Sequence, residues 1–201
     1  MSKITVNIIG DGSLGSVTAI LLAKLLPDDI PICLIDFDRV EEHNLANQIF
    51  GPGDIGEYKT VALKNILKRL GRENISAVNA KVGPNINLEG VVVALVDSMK
   101  ARQDIFSVCR YNAGVLYLIE ARSGGDTARI YGLDPRDPDS IARYHGSLYS
   151  DGNSLPAPCA NRETTPILFA VASAVGHILN RFFNFPKHRL GLVCATIDSE
   201  D

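Results

Sequence analysis

The chain has 201 residues, of which 46% are hydrophobic and 21% are charged, and its formal net charge is −3. This length and composition are typical of one globular domain whose apolar core needs no metal or disulfide to hold it. The slightly acidic balance disfavours binding to nucleic acid or to anionic lipid, so we expect neither partner.

The first residues, MSKITVNIIG, lead directly into a strand pattern, and apolar runs such as residues 91–96 are shorter than a membrane span. We therefore expect no signal peptide, no membrane segment and a cytoplasmic location. The four cysteines form no CxxC pair, so we expect neither zinc nor disulfides. Three of them lie in apolar runs and are interpreted as buried small side chains: Cys33, Cys109 and Cys194.

Short apolar runs alternate with helical patterns along most of the chain. In chain order, the sequence predicts strand 4–9, helix 14–26, strand 30–35, helix 59–70, strand 76–80, strand 90–96, helix 101–110, strand 114–120, edge strand 128–131, helix 165–183 and strand 190–197. Residues 36–56 are expected to form an extended functional loop with short helical turns. Residues 135–160, rich in Pro, Asp, Gly and Ser, are expected to form an irregular crossover.

This alternation predicts a single α/β domain over residues 1–201, with a Rossmann-like, doubly wound, mostly parallel sheet and helices on both faces. Ligands of such sheets bind at the carboxyl ends of the strands, where the motifs described next are placed.

A GxGxxG motif, residues 10–15, joins the first predicted strand to the first helix. Its first glycine allows a tight turn, its second lets a phosphate approach the backbone, and its third allows close packing of the helix. The helix N-terminus offers free N–H groups to an anion. We therefore assign five residues of the motif to nucleotide binding: Gly10, Gly12, Ser13, Leu14 and Gly15. Asp36, at the end of the next strand, would accept hydrogen bonds from ribose hydroxyls, and to this point NAD and ATP fit equally well.

Further motifs follow in a fixed order: DFDRV at 36–40, NLANQ at 44–48, DIGEYK at 54–59, and Asp97 with Arg102 five residues later. This series resembles the ThiF/MoeB/HesA family, which includes the adenylation domains of ubiquitin-activating enzymes. The family patterns read Asp-x-Asp-x-Val, Asn-Leu-x-Arg-Gln, Ile/Val-Gly-x-x-Lys and Asp-Asn-x-x-x-Arg. The resemblance covers residues 4 to about 120 and resumes near Cys159.

The resemblance implies ATP-dependent adenylation of a C-terminal carboxylate, with Mg²⁺ as cofactor. The implied substrate is a ubiquitin-like or sulfur-carrier protein ending in glycine, and the implied assembly is a homodimer. Lys59 would place a charge on the phosphates, Asp97 would hold Mg²⁺, and Asn44 would donate to a phosphate or orient its loop. Without chemistry, these residues would be a solvated lysine, a helix N-cap and a turn residue, respectively.

The remaining nucleotide-binding residues are predicted in the same loop: Asp38, Asn47 and Gln48. Asp38 and Gln48 are expected mainly to shape that loop.

Cys159 completes the predicted catalytic set because it lies in a Pro-rich loop before a long apolar helix. The resemblance places the family's thioester-forming or persulfide-forming cysteine at this junction, and the helix dipole, with Arg162 nearby, would favour its thiolate. The alternative interpretation is a loop cysteine without chemistry.

The sequence also departs from the family. Asn47 stands where the family has arginine, and either Arg39 or an arginine of a second subunit is a candidate replacement. Ser98 replaces a common asparagine, and the two CxxC zinc pairs of ThiF and MoeB are missing. Two alternatives therefore stay open: a catalytically degenerate partner subunit of an activating enzyme, and an NAD-dependent oxidoreductase.

Overall fold

The strands of the computed structural model, which describes residues 4–124, 127–150, 162–184 and 193–197, form one seven-stranded sheet. They are β1 (Val6–Ile9), β2 (Ile32–Asp36), β3 (Ile75–Asn79), β4 (Gly90–Ala94), β5 (Val115–Gly124), β6 (Thr127–Leu133) and β7 (Val193–Ile197). Their order is β3-β2-β1-β4-β5-β6-β7. Strands β1 to β5 pair in parallel, and β6 and β7 add to the sheet in antiparallel fashion.

Helices cover both faces of this sheet. They are α1 (Ser13–Leu25), α2 (Lys59–Arg69), α3 (Met99–Cys109), α4 (Pro138–His145) and α5 (Thr165–Asn184). Helices α1, α2 and α5 contribute to one apolar core, and α3 and α4 contribute to the core on the opposite face. The predicted Rossmann-like α/β architecture is therefore confirmed.

The central strands are apolar on both sides because each face of the sheet is covered. In β1, Ile8 packs in the core under α1, whereas Ile9 packs in the core on the other face. Adjacent strand residues point to opposite faces, so a strand covered on both sides needs a continuous apolar run. This is why the uninterrupted runs in the sequence predicted β1 and β4 well.

Residues 162–184 are long and apolar enough, by length and composition, to cross a membrane. In the structure, α5 buries Leu168, Val171 and Val175 in the core that it shares with α1. A Cβ on Gly176 would lie 2.5 Å from a methyl carbon of Leu21, so glycine at this position permits the close approach of the two helices. The buried apolar side chains of α5 are therefore used in packing within the domain.

Two expectations from the sequence are wrong in part. Residues 138–145, expected to be irregular, form helix α4, in which Asp137 accepts a hydrogen bond from the Ser140 N–H at 3.1 Å and Pro138 occupies the first turn. The segment 127–133 is not an edge strand, because β6 lies between β5 and β7. The remaining predicted elements occur within a few residues of their expected bounds, and the short 3-10 turns of the functional loop are Glu42–Ala46 and Pro52–Asp54.

The sheet order reverses direction between β1 and β4, which are neighbours but are followed by connections on opposite faces. In sheets of this kind, the crevice at the carboxyl ends of the strands at such a point binds ligands. The segments that follow β1, β2 and β4 here are residues 10–15, 37–58 and 95–98. They contain all the predicted site residues except Asp36, which ends β2, Lys59, which begins α2, and Cys159.

Candidate functional site

The loop between β1 and α1 is closed by two glycines that no other residue could replace without a clash. Gly10 has a φ of +92°, and a Cβ there would lie 2.8 Å from the carbonyl oxygen of Leu95. A Cβ on Gly15 would lie 1.7 Å from the carbonyl oxygen of Gly10. Gly15 therefore closes the loop on itself, in addition to the helix packing expected from the sequence.

Gly12 differs from the other two glycines because a Cβ at this position would meet no described atom within 4 Å. It is the N-cap residue of α1, and no side chain in the described part of the chain caps the helix. The N–H groups of the first turn of a helix have no partner within the helix and carry the positive end of its dipole. The loop thus presents open space and backbone donors on one side, as a phosphate requires.

Asp36 ties this loop to the segment after β2. Its Oδ2 accepts a hydrogen bond of 2.6 Å from the N–H of Asp11, and its Oδ1 accepts one of 2.8 Å from the N–H of Asp38. Each carboxylate oxygen retains a lone pair for a further donor. Asp36 is therefore a structural link in the described residues, and its chemistry still suits a ribose hydroxyl.

Lys59 is held in place by Asp38 through both backbone and side chain. The Lys59 N–H donates to the carbonyl oxygen of Asp38 at 3.0 Å, and its Nζ lies 3.1 Å from Asp38 Oδ2. Lys59 is only 7% exposed, so it is not the solvated helix residue that the sequence left open. The side chain of Asp38 is 49% exposed, so the ion pair lies at the border between the protein and solvent.

Asn44 is buried and organises its own loop. Its Oδ1 accepts a hydrogen bond of 2.9 Å from the N–H of Glu41, which forms a capping box at the start of a 3-10 turn. This geometry supports the loop-orienting role that was one of the two roles expected for Asn44.

Asn47 and Gln48 follow Asn44 in the same loop. The hydroxyl of Ser13, at the start of α1, donates to Asn47 Oδ1 at 3.0 Å. The structure therefore places Asn47 at the glycine loop. The buried Oε1 of Gln48 has no hydrogen-bond partner in the described structure.

Asp97 lies in the turn between β4 and α3, and its side chain is exposed. Ser98, not Asp97, caps α3, because the Ala101 N–H donates to Ser98 Oγ at 3.2 Å. In the part of the chain that the structure describes, the Asp97 carboxylate has no hydrogen bond or ion pair. The segment lies beside the glycine loop, since a Cβ on Gly10 would contact Leu95 and Val96.

A single unpaired carboxylate beside a phosphate loop suits Mg²⁺, which binds through one or two carboxylates together with phosphates and water. The described residues contain no group of three or more His, Cys, Asp and Glu that could hold a metal by themselves. Asp97 is therefore better suited to bind a cation that is also coordinated by a polyphosphate than a cation coordinated by protein side chains alone.

Asp11 is a residue of the glycine loop that the motif analysis did not single out. It is 0% exposed, and neither of its carboxylate oxygens has a partner among the described residues. Burial raises the pKa of Asp11 well above its usual value, and the charge of Asp36 adds to the increase, while Lys59 opposes it. The available signal was a carboxylate two residues after a buried β-strand.

The four cysteines differ in where the structure places them. Cys109 is buried, as interpreted from the sequence, and burial raises its pKa to about 12. Cys33 is only half-buried, so the interpretation holds for it in part, and burial raises its pKa as well. Cys194 lies in β7, paired with Tyr131 through the backbone. Cys159 lies outside the described residues.

The model of the ThiF family matches residues 1–186, and the chain therefore belongs to this family. No curated protein sequence matches the chain. Similar solved structures include E. coli MccB with AMPCPP and selenomethionine MccA, at 22% identity and a TM-score of 0.70, covering 98% of this chain and 61% of that one. The structure of E. coli MccB with ATP matches at 21% identity and a TM-score of 0.70, with the same coverage.

The structure of PaaA, with selenomethionine, is also similar, at 16% identity and a TM-score of 0.71, covering 100% of this chain and 70% of that one. At these identities the likenesses show a shared fold. The chain spans about three fifths of the length of the MccB chains that it matches.

Proposed function

We propose that this ThiF-family chain is an ATP-dependent adenylyltransferase that activates a carboxylate of a carrier protein or peptide. The observation that carries this proposal is the convergence of three features at one edge of the sheet. These are the open helix N-terminus at Gly12, the buried ammonium of Lys59 and the unpaired carboxylate of Asp97. An anion-binding loop, a cation and a metal-binding carboxylate suit a metal-bound triphosphate better than a dinucleotide.

Adenylation joins the carboxylate oxygen to the α-phosphate of ATP and breaks its bond to the β-phosphate, releasing pyrophosphate. Negative charge on the phosphates dominates the barrier, so fixed donors and cations are what the protein must supply. The first turn of α1 would bind phosphate oxygens, and Asp36 would accept hydrogen bonds from the ribose. Lys59 would contact a phosphate oxygen through its ammonium, which Asp38 Oδ2 holds in place. Asp97 would hold Mg²⁺, which when bound neutralises charge on the phosphates.

The proposed substrate is the C-terminal carboxylate of a ubiquitin-like or sulfur-carrier protein, or of a short peptide. Support for a peptide-like substrate comes from E. coli MccB, whose solved structures include one with AMPCPP and MccA and one with ATP. We further propose that the chain works as a homodimer. An arginine of the second subunit would then provide the positive charge that Asn47 lacks.

A second step, transfer of the acyl group to Cys159, belongs to the same proposal. In this step the thiolate attacks the acyl-adenylate, a C–S bond forms and AMP leaves. The Cys159→Ala variant should keep pyrophosphate exchange but lose any reductant-sensitive adduct with the carrier, detected by intact mass and non-reducing gels. An adduct that persists in this variant would assign the thiol role to another cysteine.

A degenerate partner subunit is the second candidate function, and Asn47 is the observation that favours it. The structure places this neutral side chain against the start of α1, where the family pattern has a cation. A degenerate subunit would not exchange pyrophosphate with ATP, even where it retains ATP binding.

Two measurements test the proposed function. Calorimetric titration should show binding of ATP with Mg²⁺ and no comparable binding of NAD. Isotope exchange between ATP and pyrophosphate should appear when candidate proteins or peptides ending in glycine are added. Tighter binding of NAD than of ATP would overturn the proposal in favour of an oxidoreductase, while ATP binding without exchange for any carrier would favour the degenerate subunit.

A further inference from the structure

A cluster of buried charged and polar side chains lies beneath the turn that carries Asp97. Glu120, in β5, is 1% exposed, and its carboxylate accepts from three side chains. These donors are Arg102 Nε at 2.8 Å, Arg122 Nε at 2.8 Å and the Tyr144 hydroxyl at 3.2 Å. We refer to Arg102, Glu120, Arg122 and Tyr144 as the Glu120 cluster.

Buried ion pairs are a poor route to stability, because desolvation of the charges often exceeds their attraction, and apolar replacements are commonly as stable. The Glu120 cluster contains two arginines and one glutamate, so its ionised side chains carry an excess positive charge inside the domain. Such a cluster needs an explanation beyond packing. The contacts of Arg102 supply one.

Arg102 joins Glu120 to the backbone of the β4–α3 turn. Its Nη2 donates to the carbonyl oxygen of Val96 at 2.5 Å, and its Nη1 donates to that of Asp97 at 3.3 Å. The planar guanidinium thus engages two successive carbonyls and a carboxylate at once, a geometry that lysine cannot reproduce. These bonds fix the backbone of the residue whose side chain is the unpaired carboxylate.

Arg122 and Tyr144 hold Glu120 on the side away from Arg102. Arg122 donates to the carbonyl oxygen and the hydroxyl of Ser147, at 3.0 and 3.1 Å, and its guanidinium lies 4.8 Å from the ring centre of Tyr131. Burial, together with the charge of Glu120, raises the pKa of Tyr144, so its hydroxyl stays protonated and remains a donor. Glu120 therefore has little freedom to move if its bond to Arg102 is lost.

We propose that Arg102 and Glu120 are positioning residues for the metal: they hold the Asp97 turn so that its carboxylate meets the Mg²⁺ bound to ATP. The inference rests on the proposed function, in which Asp97 holds that Mg²⁺. Neither residue touches the metal or the nucleotide. Both act through the backbone of residues 96 and 97, as residues behind metal ligands often do.

The test is calorimetric titration of ATP into each variant, with EDTA and again over a series of Mg²⁺ concentrations. In Arg102→Lys and Glu120→Gln, ATP affinity in EDTA should stay near that of the parent. Mg²⁺ should increase the ATP affinity of each variant only at higher concentrations. The Mg²⁺ concentration that gives half of this increase should rise by about 10-fold to 100-fold, as is usual for residues that orient metal ligands. Tyr144→Phe, which removes one donor to Glu120 and keeps the ring, should cause a smaller rise in the same direction.

Arg72→Lys is the matched control. Arg72 is also a buried arginine that donates to two backbone carbonyls, those of Leu26 and Ile30. Both carbonyls precede β2, so they lie at the amino ends of the strands, away from the proposed site. This variant should lose thermal stability and keep the parent's Mg²⁺ dependence. If Glu120→Gln fails to fold, Arg102→Lys and Tyr144→Phe still carry the test.

The failures of the two proposals are distinguishable. If Asp97→Ala loses the Mg²⁺-dependent gain while folded Arg102→Lys and Tyr144→Phe keep the parent's Mg²⁺ dependence, the positioning role is wrong and the proposed function stands. If Asp97→Ala keeps the gain, the metal assignment is wrong, and the positioning role is overturned with it. An equal shift in Arg72→Lys would also overturn the inference, because it would reduce the effect to general destabilisation.

Discussion

The backbone N–H of Asp11 donates to the carboxylate of Asp36 at 2.6 Å, which brings two acidic residues together at the glycine loop. Among the described residues, the Asp36 carboxylate has hydrogen-bonding partners, whereas both side-chain oxygens of Asp11 are buried without one. A buried carboxyl group without a donor is most stable in its neutral form, because ionisation would add the cost of an unsolvated charge.

We predict that Asp11→Ala stabilises the protein at neutral pH, by about 1–3 kcal/mol, since it removes a buried polar group without a partner. The folded-state pKa of Asp11 is raised, so the folded state holds its proton more tightly than the unfolded chain does. The stability of the parent should therefore fall, relative to the variant, as pH rises from about 4 through the folded-state pKa. Urea denaturation of both proteins from pH 5 to pH 8 measures this difference, and a variant less stable than the parent at every pH would contradict it.

The burial of Asp11 shows where prediction from the sequence ends. The run of residues 4–9 predicted β1, and the glycine spacing predicted the turn that follows it, because both depend on neighbouring residues. Whether the Asp11 side chain faces solvent or the core depends on which segments cover that turn. Those segments are distant in the sequence.

Helix α4 and strand β6 differ from expectation for similar reasons. The eight residues of α4 are too few for a helical period to stand out, and its buried Ile141 and Tyr144 lie among Pro, Asp and Gly. Strand β6 is interior only because β7, more than sixty residues later, pairs with it. The local hydrophobic pattern of the sequence does not reveal long-range strand pairing of this kind.

The glycines of the loop should differ sharply when each is replaced by alanine. Gly15→Ala places a methyl group 1.7 Å from a backbone oxygen, so we expect a loss of roughly 1–3 kcal/mol or more in unfolding free energy. Gly12→Ala has free space and a negative φ, so its stability should stay within about 1 kcal/mol of the parent. ATP affinity of Gly12→Ala should nevertheless fall by about 10-fold, because the methyl group occupies the proposed phosphate position. Unchanged ATP affinity would show that the phosphates bind elsewhere.

Lys59 is predicted to contribute directly to ATP binding. Lys59→Ala removes a charge-assisted contact to phosphate, and ATP binding should weaken by about 1.5–3 kcal/mol. Lys68→Ala is the matched control, since Lys68 lies in the last turn of the same helix and is exposed. Isothermal titration of both variants decides the question, and equal losses would point to a general effect on α2.

Asp97 and Ser98 are neighbours in sequence, but replacing Asp97 should affect activity, whereas replacing Ser98 should affect stability. Asp97→Asn should abolish Mg²⁺-dependent pyrophosphate exchange with little change in stability, because its side chain is exposed and does not cap α3. Ser98→Ala should keep the exchange but lose about 1 kcal/mol of stability with the cap. Exchange rates and thermal denaturation of the two variants test this division, and normal exchange in Asp97→Asn would remove the metal-binding role.

Asn47 offers the sharpest separation between an active enzyme and a degenerate subunit. The hydrogen bond from Ser13 shows that this side chain reaches the start of α1, so an arginine here would extend toward the proposed phosphates. We predict that Asn47→Arg tightens ATP binding by about 10-fold or more, as expected for a charge-assisted hydrogen bond to phosphate. Asn47→Ala, which loses the Ser13 contact without adding charge, should bind ATP much as the parent does.

The catalytic consequence of Asn47→Arg follows from the same geometry. If the parent already exchanges pyrophosphate with a carrier present, the variant should do so at lower ATP concentrations, because the added cation mainly strengthens nucleotide binding. If the parent binds ATP without exchange and Asn47→Arg gains exchange, the missing cation is what made the site inactive. Tighter ATP binding with no exchange in either protein would support the degenerate partner subunit. Weaker binding in Asn47→Arg would mean that residue 47 does not face the phosphates, and that the cation must come from Arg39 or from a second subunit.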